Sequence, residues 1–204
     1  MKRMLYKLTK RVIDVTASLC ALMLLSPLLV ILALLIRKDG GPVFYSQERI
    51  GLHGERFRMW KFRSMRVDAD EIRERLLHQS DFDGPMFKMK DDPRVTEIGR
   101  FIRKHSIDEI PQFFNVIMGH MSLVGPRPAL PVEYAEYCHE EASRLFTLPG
   151  ITGLWQVSGR SDLSFKEMIE LDKKYIESQS LLIDIKIMFK TVWVMFDERA
   201  SGAY

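Results

Sequence analysis

The sequence predicts an α+β protein: an N-terminal membrane helix leading into a mainly helical domain with a small β-hairpin. Three observations predict it. A membrane-length apolar run from Val12 to Ile36 opens the chain. Two short strand-like segments then flank a glycine-bounded turn, and helical periodicity broken by proline and glycine continues to the end. A chain of 204 residues has room for one domain with a real core, or for a smaller domain plus a membrane segment.

The first element is the apolar run. Residues 1–11 carry Lys2, Arg3, Lys7, Lys10 and Arg11 with no acid, a pattern suited to anionic head groups, each basic side chain contributing about 1 kcal/mol near the surface. The run holds one charge, Asp14. At about 1.5 Å per residue it is long enough to cross a hydrocarbon core of about 30 Å. It is too long for a cleaved signal, no Ala-x-Ala site comes after it, and Leu19 before Cys20 spoils a lipoprotein-type site. Basic residues flank both ends, Lys10-Arg11 and Arg37-Lys38, so the positive-inside rule gives no direction of crossing. Ser26-Pro27 sits mid-run, where proline removes a helical hydrogen bond. The run admits two readings: a kinked anchor, or a helix that enters, bends at Ser26-Pro27 and returns to the same face.

Beyond Gly40-Gly41-Pro42 the pattern becomes that of a separate domain. Val43–Ser46 and Arg56–Trp60 read as strands around a turn at Gly51 to Gly54. Val67–Leu77 reads as a charged helix, and residues 80–95 as a loop. Thr96–Arg103 is a short basic helix, succeeded by a helix from Asp108 through Ile117. Gly125-Pro126-Arg127-Pro128 and Pro149-Gly150-Ile151-Thr152-Gly153 punctuate the next stretch. Ser164–Glu177 and Leu181–Phe196 close the chain as helices, the last either buried in the core or lying in a membrane interface. The two cysteines, Cys20 and Cys138, give no disulfide framework, and a reduced, cytosol-facing chain is expected. The net charge of +3 is too mild to indicate a nucleic-acid partner.

One segment carries chemistry: Arg103-Lys104-His105-Ser106-Ile107-Asp108-Glu109-Ile110-Pro111. Adjacent carboxylates can divide two tasks, one attacking phosphorus and the other holding a hard cation such as Mg2+. The same letters also spell a Ser-x-x-Glu capping box at a helix start, a purely structural use. Lys61, Arg63, Arg103, Arg127 and Arg160 recur beside turns and short motifs. Arginine forks bind phosphate oxygens in pairs, and glycine lets backbone N–H groups approach the same anion. No Walker A loop, Gly-x-Gly-x-x-Gly fingerprint or metal-spaced Cys/His cluster is present, and the five histidines are scattered.

These strings together resemble a known family. Lys61-Phe62-Arg63-Ser64-Met65, Ser106 to Gln112, Asn115-Val116, Met121 to Pro128 and Pro149 to Arg160 are similar to the motifs of the bacterial sugar transferases, the monotopic phosphoglycosyl transferases. The resemblance covers nearly the whole chain and matches the catalytic unit alone. It implies transfer of sugar-1-phosphate from a UDP-sugar to undecaprenyl phosphate, releasing UMP, through a ping-pong aspartyl-phosphosugar intermediate. Asp108 matches the nucleophile and Glu109 the acid that holds Mg2+. Lys61, Arg103, Arg127 and Arg160 match phosphate-holding positions. Ser26 and Pro27 match the break of a re-entrant membrane helix.

The implied organisation is a re-entrant helix over residues 1–39 and a membrane-surface catalytic domain over 40–204, with interfacial amphipathic helices. It would sit on the cytosolic face of the bacterial inner membrane, among membrane lipids. Later glycosyltransferases of an exopolysaccharide, capsule or O-antigen pathway would be partners, nucleic acid would not, and a homodimer is left open. Gly84-Pro85-Met86-Phe87-Lys88 and Leu154-Trp155-Gln156 favour galactose or glucose. The alternatives are an N-acetylated or diacetamido sugar, or a non-catalytic scaffold. Where relatives often carry Arg or Lys this chain has Leu148, and Arg144 is a candidate substitute for that contact.

Overall fold

The computed structural model describes residues 2–38, 40–69, 71–72, 92–159 and 163–196. Helix α1 (Lys2–Arg37) is continuous, with Pro27 inside it. Proline offers no N–H, so the Met23 carbonyl four residues back lacks its helical donor. The Ser26 hydroxyl donates to that carbonyl at 2.8 Å, which lets the helix pass through the proline. By length and composition α1 is able to cross a membrane, and only 11% of its most apolar window is buried.

Both arms of α1 rest on the domain that comes next. Asp14 and Ser18 are buried in the N-terminal arm, Leu32 and Ile36 in the C-terminal arm, each pair one helical turn apart. Polar contacts hold the first arm. Arg11 donates to the Ile117 carbonyl at 2.9 Å, and Tyr6 and Lys10 each reach Asp184 at 2.9 Å. Apolar packing holds the second, with Leu32 and Ile36 against Phe62 and Ile102.

Strands β1 (Phe44–Ile50) and β2 (Arg56–Phe62) form the expected hairpin, in register from Phe44↔Phe62 to Ile50↔Arg56. Both are longer than the sequence suggested. The polar run Gln47-Glu48-Arg49 conceals the strand alternation, and pairing with β2 supplies the hydrogen bonds that extend it. The turn from Gly51 to Gly54 forms where expected, with Gly54 at φ +85.

Helix α2 (Glu97–Lys104) starts at Thr96, whose hydroxyl accepts the Gly99 N–H at 2.9 Å. Gly99 is required there, because a Cβ would meet the Ser64 carbonyl oxygen at 1.8 Å. Helix α3 (Gln112–Met118) leads to β3 (Ser122–Val124). The two Gly/Pro clusters, distant in sequence, come together: β3 pairs in parallel with β4 (Gly150–Thr152), Ser122 against Gly150. Short helices α4 (Pro131–Ala135) and α5 (His139–Ala142) intervene. Ser164 and Glu167 cap α6 (Phe165–Ser178) reciprocally, and α7 (Leu181–Phe196) closes the order. The main core cluster is Phe57, Met59, Val116, Met121, Leu123, Val124, Val157, Tyr175 and Ile187, drawn from the hairpin, α3, β3, α6, α7 and the segments around Met121 and Val157.

Helix α7 combines the two expected readings. Asp184, Ile187 and Val194 are buried, while Leu182, Phe189, Val192 and Trp193 are exposed, Trp193 by 72%. It therefore has one packed face and one bare apolar face. Of the expected loop at 80–95, residues 92–95 are described and form a turn in which Arg94 pairs with Asp92 at 2.6 Å and Val95 bridges to Met65. Residues 80–91, with the string Gly84–Lys88, and most of the expected helix 67–77 lie outside the described residues.

Candidate active site

The site is built on an irregular stretch of backbone. Ser106 takes a left-handed conformation, φ 54 and ψ 22, and its side chain makes no cap hydrogen bond. The capping box that Ser106 and Glu109 could have formed is therefore absent. An N-cap needs extended backbone to aim its oxygen at the N–H two or three residues on, and Ser106 lacks it. The expected single helix from Asp108 to Ile117 is also corrected. Ile107–Glu109 form one 3₁₀ turn and α3 begins after Pro111, whose ring and missing N–H separate the two. A non-glycine residue held left-handed stores strain, which the surrounding packing must sustain.

The consequence is that Asp108 turns inward, 7% exposed, while Glu109 meets Lys61 from the hairpin. Lys61 Nζ stands 2.7 Å from Glu109 Oε1 and 4.0 Å from Asp108 Oδ2. Asn115 makes that meeting possible. Fully buried on α3, it donates to the Arg58 carbonyl at 2.7 Å and accepts the Trp60 N–H at 3.0 Å. Those bonds fasten β2 beside α3, so that Lys61 reaches the carboxylates.

The two acids are driven apart electrostatically. Burial raises the Asp108 carboxyl to about 6, with Lys61 opposing and the Glu109 charge adding to the rise. For Glu109 burial pushes upward most strongly, but the lowering effects, led by Lys61, together outweigh it and the pKa falls below the usual carboxylate value. Arg127 and a hydrogen bond from Gln112 reinforce that fall. At neutral pH both are ionised, Asp108 being the more basic.

Of the expected phosphate-holding residues, Lys61 touches the pair. Arg103, at the end of α2, is near enough for its charge to stabilise ionised Asp108. Arg127 donates to Glu133 at 3.1 Å, a fully buried acid that also accepts the Leu130 N–H at 2.8 Å. Arg160 lies outside the described residues. Ser26 and Pro27 are exposed along α1 and join none of these contacts. Arg144 is no substitute for the residue replaced by Leu148. It is 4% exposed and ion-paired with buried Asp172, with Tyr137 as a second partner, so it serves the fold.

Sequence reasoning assigned no role to Asn115 or Gln112, which lie in the recognised strings, and missed Arg49 and Glu133. Arg49 lies beyond the strand that the sequence suggested, and the observed register places it. It stands directly opposite Phe57 and so shares its buried face. Among the described residues no group of three or more His, Cys, Asp or Glu gathers. The adjacent carboxylates fit a hard cation that draws its other ligands from phosphate and water, as Mg2+ does, rather than one held in an all-protein cage.

Fold and site define the class: an α+β protein joining a membrane-length helix to a carboxylate-centred polar site. The chain belongs to the bacterial sugar transferases, whose family model matches residues 5–198. It is 49% identical over 189 residues to the galactosyl transferase CpsE of Streptococcus agalactiae, covering 92% of this chain and 42% of that protein. It is 44% identical over 199 residues to the undecaprenyl-phosphate galactose phosphotransferase of Salmonella typhimurium, covering 96% and 41%. To the exopolysaccharide production protein ExoY of Rhizobium meliloti it is 43% identical over 199 residues, covering 95% and 88%. The chain thus spans about two fifths of the length of the first two, 42% and 41%, and most of the third.

Proposed function

We propose that this chain transfers sugar-1-phosphate from a UDP-sugar, galactose or glucose favoured, to undecaprenyl phosphate, and so starts an exopolysaccharide, capsule or O-antigen. The observation that carries the proposal is Asp108: a buried carboxylate with a raised pKa, set by a strained turn beside Lys61 and Glu109. A carboxylate desolvated in this way is a stronger nucleophile than one in water, yet still ionised at neutral pH. The name of the Salmonella relative supports the acceptor and galactose.

An Asp108 oxygen attacks the sugar-side phosphorus. The P–O bond to the nucleotide breaks, its electron pair leaves with UMP, and an aspartyl phosphosugar remains. An oxygen of undecaprenyl phosphate then attacks the same phosphorus and releases the Asp108 carboxylate. Lys61 and Arg103 offset the negative charge that builds around that phosphorus. Glu109 would hold Mg2+, which when bound neutralises diphosphate charge.

Two features support a lipid acceptor met at the membrane. An apolar groove of about 210 Å³, lined by Leu29, Val30, Phe44, Phe62, Pro111 and Phe114, runs between α1 and the start of α3, beside the carboxylate turn. The bare face of α7 carries Phe189 and Trp193 for an interface. A re-entrant α1 suits the same reading, dividing the chain into residues 1–39 in the membrane and 40–204 on its cytosolic face. Arg11 contacts the end of α3 while Val30 faces Phe114 of the same short helix, although a straight helix would separate residues 11 and 30 by about 28 Å.

The test is UMP release by purified protein with undecaprenyl phosphate and a panel of UDP-sugars. Release with UDP-galactose or UDP-glucose is expected. Release only with diacetamido sugars would change the donor, and release with none would leave the scaffold reading.

A further inference from the structure

Arg49 has no place in the proposed chemistry, yet its surroundings are unusual. It lies near the end of β1, 8% exposed. One terminal nitrogen donates to the Pro128 carbonyl at 3.2 Å and the other to Gln47 Oε1 at 2.8 Å, while Nε is buried without a partner. No carboxylate of the described residues is ion-paired with it. Glu133, the acid whose charge acts most strongly on Arg49, is ion-paired with Arg127 at 3.1 Å.

A guanidinium withdrawn from water without a counter-ion is costly, and removing one partner of a buried pair typically destabilises. Here the cost is compounded, because burial and then the neighbouring Arg127 charge push the Arg49 pKa down to about 9. It remains charged at neutral pH. The Arg127 charge acts on Arg49, and the single ion pair on this turn, Arg127–Glu133 at 3.1 Å, leaves one of the two positive charges without a paired acid among the described residues. The charge of Glu109 acts on both Arg49 and Arg127, which couples the two arginines electrostatically to the catalytic turn.

The backbone makes the connection mechanical as well. The Ile50 N–H donates to the Ala129 carbonyl at 2.9 Å, so β1 grips the Arg127-Pro128 turn at two consecutive residues, through the Arg49 side chain and the Ile50 main chain. Ile50, Ala129 and Leu145 pack together beneath it.

We propose that Arg49 is a positioning residue for the diphosphate of the nucleotide donor: it fixes the turn that carries Arg127, and its unpaired charge completes the anion-holding field. This rests on the nucleotide-sugar reading of the site. Gln47 offers a test that leaves packing intact. Gln47→Glu places a carboxylate on Arg49 at nearly the same volume, satisfying its charge from within the protein. A residue that only supports the fold would gain stability from that change and leave nucleotide binding alone. A residue whose charge awaits an anion would gain stability and lose binding.

The experiment is calorimetric titration of UDP, with inorganic pyrophosphate as a second probe, into the full chain in lipid nanodiscs, alongside thermal melting. Wild type should bind both probes. Gln47→Glu should bind UDP about tenfold more weakly while melting no lower than wild type, and Arg49→Met should weaken it at least as much. Arg49→Lys keeps the charge but lacks the planar fork whose two nitrogens reach Pro128 and Gln47, and should fall between wild type and Arg49→Met. Unchanged UDP affinity in both Gln47→Glu and Arg49→Met, with wild type binding normally, would overturn the role of Arg49 alone. Failure of wild type to bind either probe would overturn the nucleotide-sugar reading as well.

Discussion

Asp14 accepts a hydrogen bond from the Ser122 hydroxyl at 2.7 Å, joining the one acid of the apolar run to the first residue of β3. The Leu123 N–H approaches its other oxygen at 3.4 Å, and Lys10 lies 4.0 Å away. The charge inside the membrane-length helix is thus a fastening between α1 and the domain it precedes. Asp14→Ala would leave the fully buried Ser122 hydroxyl with only the Val124 carbonyl at 3.1 Å. The expected loss is about 1–3 kcal/mol, with Asp14→Asn losing less because it keeps an acceptor. Denaturation in detergent measures both, and an alanine variant as stable as wild type would contradict the fastening.

The nucleophile has a pH signature. With the Asp108 pKa at about 6, only its ionised form attacks, so adduct formation from UDP-sugar alone should rise with pH through about 6 and level off at higher pH. Mass spectrometry should find the phosphosugar on Asp108 and none in Asp108→Asn. Stability should run the other way. A carboxyl whose pKa is higher folded than unfolded binds more protons when folded, so its contribution falls as pH rises from about 4 to 6. At pH 7 the inactive Asp108→Asn should therefore melt no lower than wild type. Adduct formation at full rate in that variant would dismiss Asp108 as the nucleophile.

Metal dependence falls on Glu109. Its depressed pKa keeps it ionised, and Mg2+ needs only one or two carboxylates when phosphates and water complete its shell. A chelator should stop UMP release, added Mg2+ should restore it, and Glu109→Gln should lower turnover by roughly a hundredfold or more, as loss of a major electrostatic group does. Undiminished turnover in excess chelator would remove the metal from the reaction.

Topology is testable by cysteine labelling from outside intact cells. The native thiols Cys20 and Cys138 are both exposed and would first be replaced by serine. Cysteines introduced at positions 4 and 40 should both resist an impermeant reagent. Labelling at position 4 alone would mean that α1 spans. Pro27→Ala restores the N–H that the Met23 carbonyl lacks, and should shift the population toward the spanning form with lower activity.

Arg144 and Asp172 make a prediction of the opposite kind. The pair is buried, with side chains 3% and 1% exposed, so Arg144→Met strands a carboxylate and should cost about 3–5 kcal/mol. The KM for UDP-sugar of whatever protein folds should be unchanged. A raised KM with normal stability would return Arg144 to the substrate site.

The sequence by itself determined the membrane-length helix and the hairpin and singled out the Asp108-Glu109 pair, because these rest on local signals: apolar length, glycine turns and short ordered strings. That Lys61 meets this pair is a tertiary contact. It did not determine the helix boundary at Pro111 or the left-handed Ser106, since a capping-box pattern and a strained turn share the same letters and packing chooses between them. Only tertiary structure showed that two remote Gly/Pro clusters pair as parallel strands, and that Arg144 answers Asp172 instead of a phosphate. Only tertiary structure placed Arg49 against the Pro128 carbonyl of the turn that carries Arg127, and Asn115 against the edge of β2. Each of these depends on which groups a side chain meets after being withdrawn from water. That is decided by the burial of distant segments together, and spacing along one segment does not encode it.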